Sequence, residues 1–224
     1  MRPDFLRVLL LSSACVLSAC SSSSPSGPDA GTPPPVDAGT GSNGEVAPSS
    51  RNSLRFKNPE QLTAHFASAL SLSPEQVCNE LGQYSCATYV HPVALGGVDP
   101  YGMGLYEPLK ATGATTPNVV DRMALAACSW RVSLDVTTPG EAVLFKGLEL
   151  DAQGRLTNRD GAPVREAITS LYQRALLREP TEAEVGTLSK LVTQVESLGS
   201  QTPGRDWMTA ACFTVLSSAE SVFF

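Results

Sequence analysis

The sequence predicts a mainly α-helical fold. We expect an irregular helical bundle that is stapled by disulfides and carries a long ordered loop, with a small β-hairpin as a further candidate element. Apolar residues recur at three- and four-residue spacing through much of the chain after residue 50, as in helices with one buried face. Several short motifs in this region have the composition of helix starts. The same stretch of about 170 residues has the length of one domain and contains four cysteines.

The N-terminal segment has the layout of an export signal. A basic start containing Arg2 and Arg7 precedes an apolar stretch over residues 8–17. That stretch is shorter than the roughly 20 apolar residues that a membrane-spanning helix needs. It ends in Leu17-Ser18-Ala19-Cys20, which resembles the lipobox of bacterial lipoproteins.

The lipobox resemblance implies that a signal peptide over residues 1–19 is removed and that Cys20 becomes a lipidated N-terminus. Bacterial lipoproteins carry several acyl chains, and two or more chains hold a protein stably at a membrane. In this family an Asp after the cysteine is a sign of retention at the inner membrane, so Ser21 favours the outer membrane. The expected location is the cell envelope, with the membrane as a partner through Cys20. A plain secretory signal is the alternative interpretation.

A low-complexity segment separates the signal from the rest of the chain. Residues 20–50 are rich in Ser, Pro, Gly, Ala, Thr and Asp and contain few large apolar side chains. Such a composition cannot bury enough apolar surface to offset the entropy of ordering, so the sequence predicts a disordered tether. We therefore expect three segments: the signal over 1–19, the tether over 20–50 and a single helical domain over 51–224.

The domain is predicted to open with two short helices. Asn58-Pro59-Glu60-Gln61 combines a cap, a proline at the first helical position and a glutamine three residues after the cap. Ser73-Pro74-Glu75-Gln76 repeats this pattern, and the second helix is expected to end at Gly82. The buried face of the first helix is predicted to consist of Leu62, Phe66 and Leu70.

The stretch from Cys86 to Thr115 is predicted to be a long ordered loop, because glycines and prolines interrupt every periodic pattern in it. Long irregular segments are uncommon in compact domains and are often functional, so this loop is the first candidate for a binding surface. A loop that only covers the helical core is the alternative. Apolar side chains are expected to pin the loop: Tyr89, Tyr101, Met103, Leu105 and Tyr106. The candidate binding residues are His91, Asp99, Tyr101 and Tyr106.

A helix is predicted from Thr116 to about Val132, with a stripe on Val119, Met123, Ala127 and Trp130. Residues 142–145 and 148–151 are the candidate strands of the hairpin.

The last third has the clearest helical periodicity. A helix opens at Pro163, and the sequence Thr181-Glu182-Ala183-Glu184 is a capping box for the next one, so a helical hairpin is expected. Asp206 is the candidate cap of a final helix with a wide apolar face. The apolar residues 222–224 are expected to fold back onto the domain.

Two segments of this third resemble an element of the planctomycete-cytochrome-associated group of secreted proteins. The first runs from Leu171 to Val185 and contains Tyr172-Gln173-Arg174-Ala175-Leu176-Leu177-Arg178-Glu179-Pro180-Thr181, and the second runs from Ala210 to Phe223. The resemblance implies a helical hairpin and assigns no catalytic residues. The haem-attachment motif of the larger relatives is missing from this sequence.

Cysteine counting favours two disulfides. The sequence has six cysteines; Cys15 leaves with the signal and Cys20 is the expected lipidation site. The remaining four are an even number in an oxidising compartment, where pairing is the default. Of the three possible pairings, the sequence favours Cys78–Cys86 and Cys128–Cys212.

Composition and motifs exclude several classes of function. The net charge is −6 and no basic cluster is present, which argues against nucleic acid as a partner. Neither a phosphate-binding nor a dinucleotide-binding glycine loop is present, so no cofactor is expected. The only histidines are His65 and His91, and Cys78 and Cys86 are eight residues apart, so no metal site is expected. Arg165, Arg174 and Arg178 form a basic stripe that is interpreted as a solvated face.

Three hypotheses for function follow. The leading one is a non-enzymatic binding or accessory module of the cell envelope, whose partner is an envelope protein or polymer. The second is an accessory subunit of a periplasmic redox or hydrolytic complex to which residues 87–115 contribute. The third, an enzyme in its own right, requires His91 and an acidic residue in one cleft.

Overall fold

The computed structural model describes residues 54–108, 113–159 and 161–224. The predicted signal over 1–19, Cys20 and the tether over 20–50 lie outside the described residues. The α-helices are α1 (Pro59–Leu70), α2 (Pro74–Val77), α3 (Thr116–Thr137), α4 (Ala162–Leu176), α5 (Glu182–Ser197), α6 (Pro203–Leu216) and α7 (Ala219–Val222). A two-stranded antiparallel hairpin consists of β1 (Asn79–Glu80) and β2 (Tyr84–Ser85). The mainly helical class predicted from the sequence is confirmed.

The core lies between α3, α5 and α6, with α1 packing against α3 and α4. Trp207 of α6 is completely buried at its centre, where its ring meets the edge of Phe145 and its indole N–H donates to the carbonyl of Leu188 at 2.9 Å. The Cys128–Cys212 disulfide joins α3 to α6 across 5.7 Å between the Cα atoms. The face predicted for α1 is buried, and so are the periodic apolar residues of α4, α5 and α6. The periodicity of the sequence therefore identified the core face of each of these helices.

The first helix start is confirmed in atomic detail. The side chain of Asn58 accepts from the backbone N–H of Gln61 at 2.8 Å, and the Asn58 N–H donates to the Gln61 side chain at 3.1 Å. The start at Ser73 is also present, but the prediction that α2 extends to Gly82 is wrong. The chain turns into extended structure at Cys78, where the Cys78–Cys86 disulfide holds two Cα atoms 5.5 Å apart across the hairpin.

The hairpin is in a different place from the one predicted. Residues 142–145 do not form a strand, because the buried carboxylate of Asp135 takes their backbone N–H groups. Its oxygens accept from Val143 and Leu144 at 2.9 Å and from Phe145 at 3.1 Å. Of the second candidate strand, only Leu150 is bridged, to Leu156. The N–H groups of residues 143–145 are therefore not available to pair with a second strand.

Helix α3 is longer than predicted and presents a different face. It continues to Thr137, five residues beyond the expected end at Val132. Trp130, expected in the buried stripe, is 48% exposed. Arg131 and Asp135 are buried in its place and form an ion pair of 2.8 Å. Because two residues of the buried face are charged, the spacing of apolar residues did not identify this face.

Two further expectations concern the end of the chain. Asp206 is not the cap of α6, since the helix begins at Pro203 and Asp206 lies in its first turn, accepting from Thr202 Oγ1 at 3.3 Å. The prediction that residues 222–224 return to the fold is confirmed. Phe223 bridges Phe56 in antiparallel fashion, with ring centroids 5.6 Å apart.

Helix α6 starts in very close contact with the preceding loop. The N–H of Gly204 donates to the carbonyl of Gly154 at 2.7 Å, and a Cβ atom at position 204 would lie only 2.8 Å from that same backbone oxygen. Only glycine permits this approach.

Candidate functional site

The first part of the loop after the hairpin forms two short helical turns. Cys86–Val90 forms a π-helix and Val93–Leu95 a 3-10 helix. The Cys78–Cys86 disulfide anchors the first of these turns, and Leu95 is completely buried. The Thr116 hydroxyl donates to the Ala94 carbonyl at 2.5 Å, which fixes the second turn to the start of α3. Backbone turns and a disulfide, rather than aromatic side chains, therefore hold this loop.

Asp99 organises the tip of the loop. Its carboxylate accepts from the Gly102 N–H at 2.8 Å, and its backbone exchanges two hydrogen bonds of 3.0 Å with Leu105. Asp99 is a turn-forming residue, as the sequence Gly97-Val98-Asp99-Pro100 suggests. Its role in the structure is to define the shape of residues 99–105.

The aromatic side chains of the loop do not pin it. Tyr101 is 99% exposed and Tyr106 is 78% exposed, and Tyr89 and Met103 are also exposed. Only Leu105 of the expected set is partly buried. The pinning expectation is wrong for the four exposed side chains. Their exposure leaves apolar surface available for contact with another molecule.

A second exposed aromatic feature lies on the hairpin. The rings of Tyr84 and Tyr89 are stacked, with centroids 5.0 Å apart and planes 16° from parallel. Both rings are accessible. The Cys78–Cys86 disulfide ties strand β1 to the turn that carries Tyr89. A rigid aromatic pair of this kind contributes contact area at little cost in conformational entropy.

His91 lies in a small cluster of charged residues. Its Nε2 is 3.4 Å from a carboxylate oxygen of Glu80, and the other oxygen of Glu80 accepts from Arg122 at 2.7 Å. The acidic neighbour that an enzymatic role requires is thus present beside His91. However, Glu80 is also paired with a cation, and no serine hydroxyl in the described ranges bonds to His91. The cluster links the hairpin to α3 and the loop.

The prediction of a solvated face is wrong for Arg174 and Arg178, which are half-buried and tie helices together, whereas Arg165 is exposed. Arg174 donates to the carbonyls of Ala69 and Ser68 at 2.6 and 3.2 Å and so caps the end of α1. Arg165 pairs with Glu182 at 2.9 Å.

Arg178 pairs with Glu184 and Glu220, each at 2.7 Å, and lies over the ring of Tyr172. The partners of these arginines lie on other helices, which a pattern within one helix does not reveal.

A polar cluster at the start of the domain was not predicted from the sequence. His65 on α1 contacts the hydroxyl of the fully buried Ser221 at 3.1 Å between Nε2 and Oγ, and Lys57 donates to the Ser221 carbonyl. Lys57, His65 and Arg174 line an open cavity with a volume of about 580 Å³, here called the basic pocket. Ser221 is 156 residues from His65, so no local spacing in the sequence could indicate the contact.

Within the part of the chain that the structure describes, no three His, Cys, Asp or Glu side chains are grouped in a way that could hold a metal ion. No helix of the described ranges has both the length and the apolar character needed to cross a membrane.

Comparisons with protein families, curated proteins and solved structures found no match to this chain.

Proposed function

We propose that the protein is a lipid-anchored component of the cell envelope whose folded domain is a non-enzymatic binding module. The observation that carries the binding proposal is the exposure of Tyr101 and Tyr106 on a loop whose backbone is ordered without them. Side chains that do not stabilise their own loop are free to contribute their apolar area to a partner. The partner is an envelope protein or polymer.

The order of the loop supports this proposal. The turn set by Asp99 closes residues 99–105 through hydrogen bonds made within the chain itself. A binding surface that is already ordered loses less conformational entropy on association than a flexible one. The exposed aromatic residues thus have the physical properties of interface anchors.

Lipid attachment is supported by the lipobox resemblance of Leu17-Ser18-Ala19-Cys20. Radiolabelled palmitate supplied to cells is expected to label the protein, and the Cys20→Ala variant is expected to remain unlabelled. Cys15→Ala provides a matched control because this cysteine precedes the cleavage site. Equal labelling of wild type and Cys20→Ala would refute the anchor.

Photo-crosslinking in intact cells tests the binding surface. A photoreactive amino acid at position 101 or 106 is expected to form a specific adduct with one envelope component. The same probe at Leu198, which follows α5 and is about as exposed as Tyr106, is the matched control and should form none. The adduct should be lost when Asp99→Ala disorders the loop, while circular dichroism shows that the helices remain. Identical adducts from position 198 would contradict a dedicated binding surface.

A further inference from the structure

The basic pocket differs in charge from the rest of the protein. The chain has a net charge of −6, yet no Asp or Glu is among the described residues that line this pocket. Lys57 and Arg174 contribute two positive charges, and His65 is a further polar side chain in the lining. Cations that are held in a concave surface with no Asp or Glu side chain in its lining attract anions from solution.

The hydrogen bonds of the two cations do not neutralise them. Lys57 donates to the carbonyl of Ser221, and Arg174 donates to the carbonyls of Ser68 and Ala69 and to the hydroxyl of Ser71. All these acceptors are uncharged. The second terminal nitrogen of Arg174, Nη1, forms no hydrogen bond to any residue that the structure describes. Donor capacity and positive charge are therefore both available to a ligand.

The pKa values of Lys57 and His65 also indicate that no anion neighbours them. Burial lowers the pKa of Lys57. Burial, together with the positive charge of Lys57, lowers the pKa of His65 to about 4, so its ring is neutral at pH 7. Both shifts are those of groups without a neighbouring anion. An anion bound between them would favour the protonated form of each and raise both pKa values.

We propose that the basic pocket binds a phosphate group through Lys57 and Arg174, beside the imidazole of His65, whose Nε2 contacts Ser221. A phosphate monoester carries a charge of about −1.5 to −2 at neutral pH, which matches two cations better than a carboxylate does. The pocket volume of about 580 Å³ leaves room for the molecule that carries the phosphate. That carrier is either a soluble phosphate ester or a lipid headgroup. The site is separate from the aromatic loop and does not depend on the function proposed for it.

Histidine-selective NMR on the full-length protein in a neutral detergent tests the proposal. The chain has two histidines, so the His91→Gln variant assigns the His65 signal. Sodium phosphate is added at constant ionic strength, with chloride as the balancing anion. The His65 signal is expected to shift saturably and its pKa to rise from about 4. A second arm adds phosphatidate to the detergent micelles, and a response to this lipid alone identifies a lipid headgroup as the ligand.

Variants distinguish specific phosphate binding in the basic pocket from general electrostatic attraction of phosphate to the protein. Lys57→Gln is expected to weaken phosphate binding by about tenfold or more, which corresponds to about 1.4 kcal/mol, and Lys57→Arg to retain it. Lys190→Gln, which removes an exposed lysine from α5, is the matched control and should bind as the wild type does. No response of His65 to either phosphate source overturns the proposal. Equal weakening by Lys57→Gln and Lys190→Gln also overturns it, and the wild-type titration decides the question even where Lys57→Gln fails to fold.

Discussion

At the scale of the residue, the buried charge of Asp135 is expected to matter most for stability. Asp135 is 3% exposed and forms four contacts, an ion pair with Arg131 and three hydrogen bonds from the backbone of residues 143–145. A buried charge is tolerated only where its lone pairs are satisfied and its charge is compensated. Asp135 meets both conditions and connects α3 to the segment that follows it.

We expect Asp135→Ala to lower the free energy of unfolding by about 3–5 kcal/mol, because it leaves the buried charge of Arg131 uncompensated and three backbone N–H groups without an acceptor. Asp135→Asn keeps an oxygen acceptor and should cost less. Urea unfolding followed by circular dichroism measures both. Wild-type stability of Asp135→Ala would show that the carboxylate does not hold the segment.

Glu184 gives a prediction for pH dependence. Hydrogen bonds from Arg178 and then from Thr181 lower its pKa from 4.5 to about 2. Because the folded state holds the proton less tightly than the unfolded state, the stabilisation is complete above pH 4.5 and is lost as the pH falls toward 2. The Tm of Glu184→Gln is expected to lie below that of wild type at pH 7, and the difference should shrink through this window. A constant difference would contradict the assignment.

At the scale of the element, helix starts depend on a few side chains close in sequence. The reciprocal hydrogen bonds of Asn58 and Gln61 and those of Thr181 and Glu184 occur within three residues. Such motifs satisfy backbone N–H groups that have no partner inside the helix. They set where α1 and α5 begin.

Replacing Asn58 with alanine removes the acceptor for the Gln61 N–H and is expected to cost about 1 kcal/mol of stability. Asn58→Asp retains an acceptor at the same position and should cost little. Thermal unfolding of the two variants compares them directly. A loss in Asn58→Asp as large as that in Asn58→Ala would show that the cap oxygen is not the cause.

At the scale of the whole molecule, two disulfides act over very different distances. Cys78–Cys86 closes a short hairpin with a sequence separation of 8, whereas Cys128–Cys212 joins α3 to α6 with a separation of 84. A longer closed loop restricts the unfolded chain more strongly. The second bridge is therefore the main covalent constraint on the bundle.

We expect the pair of substitutions Cys128→Ala and Cys212→Ala to cost about 4.5 kcal/mol, and the pair Cys78→Ala and Cys86→Ala about 2.5 kcal/mol, from loop closure alone. Denaturant unfolding of both double variants tests the order of the two losses. The reverse order would show that native-state packing around the hairpin outweighs the loop-closure entropy.

The sequence by itself determined the features that depend on neighbours three or four residues apart: the capped starts of α1 and α5 and the buried faces of α1 and α4–α6. Counting cysteines gave the number of disulfides, and the pairing that the sequence favoured is the one in the structure. Only the tertiary structure decided where the hairpin forms, which tyrosines are exposed and which polar groups gather in the basic pocket. The physical reason is that burial and charge compensation depend on groups far apart in the chain. Ser221 meets His65 across 156 residues and Arg174 meets Ala69 across 105, so no local pattern records either contact.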